Sequence, residues 1–107
     1  MRGFLLSERA ERDLDEAWFY IARESGSTDV ATRVVDDIYR RFWFLAENPY
    51  GGRGRDEDLR PELRSFPADQ YTVIYRVGKN DEDAAVYILH VIHSSRDLPG
   101  VIGERSE

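Results

Sequence analysis

The 107-residue sequence contains no cysteine. Disulfide bonds, thiolate metal ligands and a cysteine nucleophile are therefore all excluded. The only two histidines, His90 and His93, are three positions apart in a segment whose β-branched and aromatic residues predict a strand. Side chains three apart on a strand point to opposite faces of the sheet, so these two are not expected to share a metal. The sequence predicts no metal site and no cofactor.

Lysine is nearly absent, since Lys79 is the only one, and the formal net charge is −6. Binding to nucleic acid requires a surplus of Lys and Arg on one face, so no direct nucleic-acid binding is expected for the isolated chain. Almost every positive charge belongs to arginine, whose planar guanidinium suits paired hydrogen bonds to carboxylate or phosphate. Codon bias in a GC-rich genome explains the same composition equally well.

Long hydrophobic runs are also missing, because no stretch approaches the ~18 apolar residues of a membrane span. The segment Met1–Leu6 has one positive charge and three apolar residues, fewer than a signal peptide needs. We therefore expect a cytoplasmic protein without membrane contact. The 41% hydrophobic and 12% aromatic content is typical of globular chains, and the length suits one domain over residues 1–107.

Two helices are predicted in the first half of the chain. Phe4–Leu6 reads as a short strand that ends at Ser7, whose hydroxyl can cap the following helix. A break at residues 25–28 precedes a second helix that begins near Thr28 or Asp29 and ends at Asn48. Spacings of three and four give each helix one apolar stripe, formed by Ala10, Leu14, Ala17, Trp18, Ile21 and Ala22 in the first and by Ala31, Val34, Val35, Ile38, Phe42, Leu45 and Ala46 in the second.

The end of the second helix has more apolar residues than one face can hold. Phe42, Trp43, Phe44 and Leu45 are consecutive, and successive helical residues point about 100° apart. At least Trp43 or Phe44 should therefore lie off the core face. Either a partner covers these rings or the following loop, 51–61, folds back over them.

The second half of the chain predicts a sheet. After a polar connection at 51–60, segments 63–66, 71–77 and 84–93 read as strands joined by short turns, which favours antiparallel pairing. The N-terminal strand is expected to join at an edge or through a β–α–α–β crossover. The predicted fold is α+β, with the order β-α-α-β-β-β and a helix hairpin packed on a mainly antiparallel four-stranded sheet. Residues 103–107 are expected to fray.

Residues that could perform chemistry are few. Ser94 or Ser95 with His93 and Asp97 lacks the geometry of a catalytic triad, and residues 51–54 lack the Lys and Ser/Thr of a phosphate-binding loop. What remains is a set of basic and imidazole groups, with Arg64, Arg76, His90 and His93 on the predicted strands and Arg96 just beyond the last of them. Ion pairs of Arg96 or Arg64 with Asp97 or Glu62 are the alternative explanation for that set.

Six segments, in the same order along the chain, resemble the ParE/RelE superfamily of type II toxins. The segments that carry the resemblance are Leu6–Leu14, Leu45–Pro49, Gly51–Arg53, Leu63–Phe66, Tyr71–Arg76 and Val91–Leu98. The resemblance spans nearly the whole chain and implies the fold given above. It also implies a toxin that arrests growth unless a ParD-like antitoxin binds it.

Two mechanisms occur among the proteins that the sequence resembles. ParE-like members poison DNA gyrase without a recognised catalytic set, whereas RelE-like members cleave mRNA on the ribosome. The acidic balance, the single lysine and the absence of a late tyrosine favour the ParE-like mechanism and a protein that is not an enzyme. The alternatives are an endoribonuclease that uses Arg64, Arg76 and His93, and a degenerate toxin that only binds its antitoxin.

The resemblance and the residue types together give two sets of candidate contact residues. The candidates for binding the target are His93, Arg96, Asp97 and Arg64. The candidates for binding the antitoxin are Trp43, Phe44 and Tyr39, because buried aromatic side chains commonly dominate interface energies.

Overall fold

Helices cover both faces of a five-stranded sheet in a computed structural model, which describes residues 2–105. The elements are β1 (Phe4–Leu6), α1 (Glu8–Ser25), α2 (Thr28–Glu47), β2 (Arg53–Gly54), β3 (Arg64–Ala68), β4 (Tyr71–Val77), β5 (Val86–His93) and α3 (Leu98–Arg105). The strand order is β1-β5-β4-β3-β2, with β1 parallel to β5 and every other pair antiparallel. The predicted α+β fold with a helix hairpin on a mainly antiparallel sheet is confirmed. Within residues 2–105, no helix combines the length and hydrophobicity required to cross a bilayer.

Serine hydroxyls cap both long helices. Ser7 accepts a hydrogen bond from the backbone N–H of Ala10 at 3.0 Å, as predicted. Gly26 ends α1 in the left-handed conformation with φ 71°, which glycine adopts without steric cost. Ser27 then accepts from Val30 N–H at 3.1 Å and caps α2. The predicted start of this helix at Thr28 is therefore confirmed, and the residue before it is the cap.

The main core lies between the α1–α2 hairpin and one face of the sheet. Its fully buried side chains include Ile38, Phe42 and Leu45 of α2 and Val73 and Tyr75 of β4. Since these residues recur at helical and strand spacings, each element contributes one face to this core.

The segment after α2 forms an additional edge strand. Tyr75 is fully buried, and its hydroxyl accepts from Gly52 N–H at 2.9 Å and donates to Pro49 O at 2.7 Å. These two bonds hold the chain against the sheet where Arg53 pairs with Ser65 as β2. The prediction of four strands is therefore wrong by one, whereas the polar connection at 51–60 is mostly exposed, as predicted, and contains this short strand.

The C-terminal residues form a third helix on the opposite face of the sheet. Val101 and Ile102 of α3 are 5% and 3% exposed and pack in a second apolar cluster with Leu63, Ile74 and Ile92. The expectation that 103–107 fray is wrong for Gly103–Arg105, which end this helix. Residues 106 and 107 lie outside the described part of the chain.

A buried carboxylate joins α1, β5 and α3. Asp13 is 4% exposed and accepts two hydrogen bonds from Arg105 at 2.8 and 2.9 Å. Arg9 Nε donates to the same carboxylate at 3.3 Å. Because β1 pairs with β5 only as far as Ile88, the N–H of Val91 points from an open edge, and it donates to Asp13 at 2.9 Å.

The Asp13 cluster also determines the protonation of His90. His90 is 8% exposed, and its Nδ1 accepts a hydrogen bond from Arg105 at 3.1 Å. Burial, and then the positive charge of Arg105, lower the pKa of His90 from 6.5 to about 4. Arg60 and Arg9 act in the same direction, and Asp13 opposes them. The imidazole is therefore neutral at pH 7.

Replacement of Gly52 by alanine should destabilise the protein. A Cβ at this position would lie 2.5 Å from the Tyr75 hydroxyl and 2.6 Å from the carbonyl oxygen of Ser65, and neither group can move freely. We expect Gly52→Ala to lower the free energy of unfolding by about 1–3 kcal/mol, measured by urea denaturation. Gly103→Ala is the matched control, because a Cβ there meets no atom within 4 Å. Equal stability of the two variants would contradict the packing described here.

The low pKa of His90 predicts a loss of stability in acid. Below about pH 6.5 the unfolded chain binds a proton at this position, whereas the folded chain does not until about pH 4. His90→Asn keeps an acceptor for Arg105 and removes this titration. Between pH 7 and pH 4, the free energy of unfolding should fall by about 1–3 kcal/mol more in the wild type than in the variant. Parallel pH profiles from thermal denaturation would refute this prediction.

Candidate functional site

The turn from His93 to Asp97 follows β5 at the open edge of the sheet and is held by several hydrogen bonds. Ser94 N–H donates to Gln70 O at 2.8 Å, and Arg96 N–H donates to His93 O at 3.0 Å. Ser95 N–H donates to His93 Nδ1 at 3.1 Å. Since Nδ1 accepts this bond, the neutral imidazole carries its proton on Nε2, which is available as a donor.

His93 contributes to two clefts beside α1. Its ring meets the ring of Tyr71 edge-on, with the ring centroids 5.2 Å apart. The first cleft, of about 220 Å³, is mainly apolar and includes Tyr20 and Val34. The second, of about 130 Å³, has Asp13, His93, Arg96 and Arg105 in its walls. His90 is not among the residues that line either cleft, and it contacts Arg105 at 3.1 Å.

Arg96 and Asp97 are both exposed on this turn. Among the ion pairs within residues 2–105, none involves Arg96, so the alternative in which it pairs with Asp97 is not observed. Asp97 precedes α3, its carbonyl oxygen accepts from Val101 N–H at 2.9 Å, and its carboxylate lies beside Gly100. Arg96 therefore presents a guanidinium to solvent, whereas Asp97 contacts the start of the helix.

Arg64 lies far from this turn. Its guanidinium donates to Gly52 O at 2.6 Å and to Tyr50 O at 3.3 Å, and it lies 5.3 Å from the centroid of the Tyr50 ring. It braces the connection between α2 and β2 and forms no pair with Glu62 within residues 2–105. Arg64 is opposite Tyr75, whereas His93 is opposite Tyr71. The four-residue separation along β4 corresponds to about 13 Å.

Arg76 is also engaged. It donates two hydrogen bonds of 2.9 Å to Glu82 and lies 4.2 Å from the centroid of the Tyr87 ring. Hydrogen bonds from Arg76 lower the pKa of Glu82 to about 2. Because Arg64 pairs with Tyr75, the neighbour of Arg76 on β4, the two arginines lie on opposite faces of the sheet. The structure thus does not bring together Arg64, Arg76 and His93.

A second candidate surface contains the aromatic residues at the end of α2. Trp43 and Phe44 are 52% and 45% exposed, which confirms the prediction that one of them lies off the core face. Trp43 packs edge-on against Phe4 of β1 at 4.8 Å, and Phe44 stacks on Phe66 of β3 at 5.3 Å. Although Gly51 lies against Phe44, the loop leaves both rings half exposed. The covering-loop explanation therefore accounts for only part of this surface.

Tyr39 is the third residue of the predicted antitoxin-binding set. It is partly buried, with its ring centroid 5.1 Å from that of Phe42 and 6.2 Å from that of Phe4. Burial, and then the negative charges of Glu11 and Asp15, raise the pKa of Tyr39. Tyr39 therefore belongs to the border of the core beneath Trp43, with acidic side chains nearby.

Two features of α1 were not predicted from the sequence. Phe19 and Tyr20 of α1 are 65% and 49% exposed, and they could have been noticed as large apolar residues outside the helical stripe. Asp13 could have been noticed because it follows Ala10 by three positions and precedes Ala17 by four, within the apolar stripe. A charged residue at such a position predicts a buried partner.

Residues 2–105 contain no group of three or more His, Asp or Glu side chains placed to hold a metal ion. The groups of the turn that can contact a partner are the guanidinium of Arg96 and the Nε2 donor of His93, and two clefts adjoin them. This arrangement can bind a partner through charge and hydrogen bonds.

The residues of both candidate surfaces lie within the part of the chain that matches known proteins. A sequence model described as the ParE toxin of the type II toxin–antitoxin system parDE matches residues 4–98. Toxin ParE1 of Caulobacter vibrioides is 31% identical over 103 residues, which are 96% of this chain and 100% of the relative. Toxin ParE1 of Mycobacterium tuberculosis is 30% identical over 95 residues, which are 89% and 92% of the two chains.

A solved structure shows the same fold. A chain described as belonging to the chromosomal ParDE TA system from P. aeruginosa superimposes with a TM-score of 0.71 and 21% identity, and the match covers 87% of this chain and 96% of that one. The match of the family model to residues 4–98 includes β1, the hairpin, the sheet and the His93–Asp97 turn. The chain therefore belongs to the ParE toxin family of type II toxin–antitoxin systems.

Proposed function

We propose that this toxin arrests growth by poisoning DNA gyrase and that a ParD-like antitoxin holds it inactive in the cytoplasm. The main support is membership of the ParE family combined with the exposed Arg96 on a turn fixed by backbone hydrogen bonds. These bonds fix the backbone that carries Arg96, and its guanidinium, which has no ion pair within residues 2–105, is available to an acidic group on a partner. His93 adds an Nε2 donor beside it.

The location of the basic groups argues against cleavage of RNA as the mechanism. A nuclease needs groups that bind the phosphate and a proton donor or acceptor within hydrogen-bonding distance of one reacting site. Arg76 is paired with Glu82, Arg64 is bonded to backbone carbonyl oxygens, and both are remote from His93. The proposed mechanism is therefore a binding reaction without a catalytic residue.

The proposed antitoxin contact is the surface around Trp43. A shallow groove of about 360 Å³ runs between Trp43 and β1, with Phe4, Leu5 and Ala84 in its walls. Leu5 is 52% exposed, and β1 is an edge strand, so apolar side chains of an extended or helical segment could be buried here. Phe44 and Tyr39 extend the same aromatic region on either side of buried Phe42.

Removal of the Arg96 guanidinium should weaken inhibition of gyrase. Loss of an interface arginine costs about 1–3 kcal/mol, so Arg96→Ala should require at least ~5-fold more toxin to inhibit supercoiling and to trap cleaved DNA. His93→Ala should act in the same direction. Because Arg96 is exposed, its replacement should change the free energy of unfolding by less than ~0.5 kcal/mol.

Arg33→Ala is the matched control, since Arg33 is an exposed arginine of α2 that lines neither cleft beside His93. It should inhibit gyrase like the wild type. Failure of the wild-type toxin to inhibit supercoiling or to trap cleaved DNA would refute the gyrase proposal. Degraded mRNA in arrested cells would then indicate the endoribonuclease, and the absence of growth arrest would indicate a degenerate toxin.

Removal of the Trp43 ring should weaken antitoxin binding. A buried tryptophan at an interface contributes about 2 kcal/mol or more, so Trp43→Ala should raise the dissociation constant at least ~30-fold by calorimetry. Phe19→Ala, which removes an aromatic ring that is 65% exposed on α1, is the control and should bind within ~3-fold of the wild type. An unchanged affinity for Trp43→Ala would exclude this surface as the contact.

A further inference from the structure

The helix α3 has little intrinsic tendency to form. Its eight residues, Leu98–Arg105, contain one proline and two glycines. Each interior glycine costs about 1 kcal/mol relative to alanine, and isolated helices of this length are unstable in water. The helix therefore depends on its tertiary contacts. These are the burial of Val101 and Ile102 in its middle and the ion pair of Arg105 at its C-terminal end.

The His93–Asp97 turn depends on α3 in the same way. One side of the turn is fixed by the sheet, through the bond from Ser94 N–H to Gln70 O. The other side continues directly into α3, where Val101 N–H donates to Asp97 O. Arg96 N–H is bonded to His93 O at 3.0 Å, so a displacement of α3 would strain or break this bond and move the second half of the turn, including Arg96, relative to His93 at the end of β5.

The ion pair of Asp13 with Arg105 and the exposed residues of the turn share one cleft. Asp13, His93, Arg96 and Arg105 all line the cavity of about 130 Å³ beside α1. Asp13 and Arg105 form its inner wall, because their side chains are 2% and 16% exposed, whereas Arg96 is on the outside. The buried pair and the turn therefore adjoin each other at this cleft.

We propose that Asp13 and Arg105 are positioning residues for toxicity. Their ion pair docks α3 against α1 and the edge of β5, and it thereby fixes the spacing between Arg96 and His93 that the target recognises. This inference rests on the role proposed above for the turn. Asp13 of α1 and Arg105 of α3 would thus contribute to activity without contacting the target.

The two bonds from Arg105 make this contact sensitive to small changes. A guanidinium donates both bonds to one carboxylate in a fixed plane, which an ammonium cannot reproduce. Arg105→Gln removes the charge and leaves Asp13 with Arg9 and the Val91 N–H as partners. The hairpin and sheet should therefore remain folded while α3 loses its C-terminal attachment.

The test uses the full chain with Arg105→Gln, Arg105→Lys and Arg41→Gln, induced to equal levels in cells without antitoxin. Arg41→Gln is the control, since Arg41 pairs with Asp37 at 3.0 Å within α2 and is not among the residues that line either cleft beside His93. We expect Arg105→Gln to need at least ~10-fold more inducer for growth arrest, Arg105→Lys to fall between it and the wild type, and Arg41→Gln to match the wild type. Amide hydrogen exchange should accelerate in 94–105 and not in α1 or α2.

Antitoxin affinity separates positioning from general damage to the fold. Arg105→Gln should bind antitoxin within ~3-fold of the wild type. Parallel losses of antitoxin affinity and toxicity would show a purely structural role and overturn the proposal. If Arg105→Gln fails to fold, Asp13→Asn, which retains an oxygen for Val91 N–H, takes its place in every measurement.

Full toxicity of the folded variant with faster exchange in α3 would also overturn the proposal, as would a wild-type chain that does not arrest growth. Growth arrest does not presuppose gyrase as the target. A wild-type toxin that arrests growth without inhibiting supercoiling would refute the gyrase proposal alone, and the Arg105 variants would still decide the role of the ion pair.

Discussion

The hydrogen bonds to the carboxylate of Asp13 are the interaction on which the attachment of α3 and of the end of β5 depends. The carboxylate accepts from Arg105 of α3, from Arg9 of its own helix and from the backbone N–H of Val91 at the open edge of β5. A carboxylate that is 2% exposed is tolerated only when such partners replace its hydration. The cluster also places a guanidinium against His90, and burial of the imidazole together with this positive charge lowers the pKa of His90.

A second set of contacts, centred on the Tyr75 hydroxyl, organises the opposite end of the sheet. It fixes the chain after α2 through Gly52 and Pro49, and the same region holds Arg64 against the Gly52 carbonyl oxygen. The molecule therefore has two exposed surfaces with separate supports. The His93–Asp97 turn adjoins the Asp13 cluster. The aromatic surface of Trp43 lies at the end of α2 and the β1 edge. Binding of a partner to one surface therefore does not depend on the contacts that support the other.

The local pattern of the sequence predicted most of the fold and part of the candidate site. Apolar stripes identified both long helices, and alternation identified β4 with its observed limits at Tyr71 and Val77. The exposure of Trp43 followed from the geometry of consecutive helical residues. The prediction failed for β2, a strand of two residues without a periodic signal, and for α3, whose proline and glycines predict a loop.

The sequence by itself determined the family, the α1–α2 hairpin and the strands β3 to β5, because periodic burial and turn residues are local properties of the chain. Only the tertiary structure decided which arginines are free. Arg64, Arg76 and Arg105 are all held by partners 6 to 92 positions away, whereas Arg96 has no ion pair within residues 2–105. The energy of a charged group depends on the atoms that surround it after folding, and residue spacing does not contain that information.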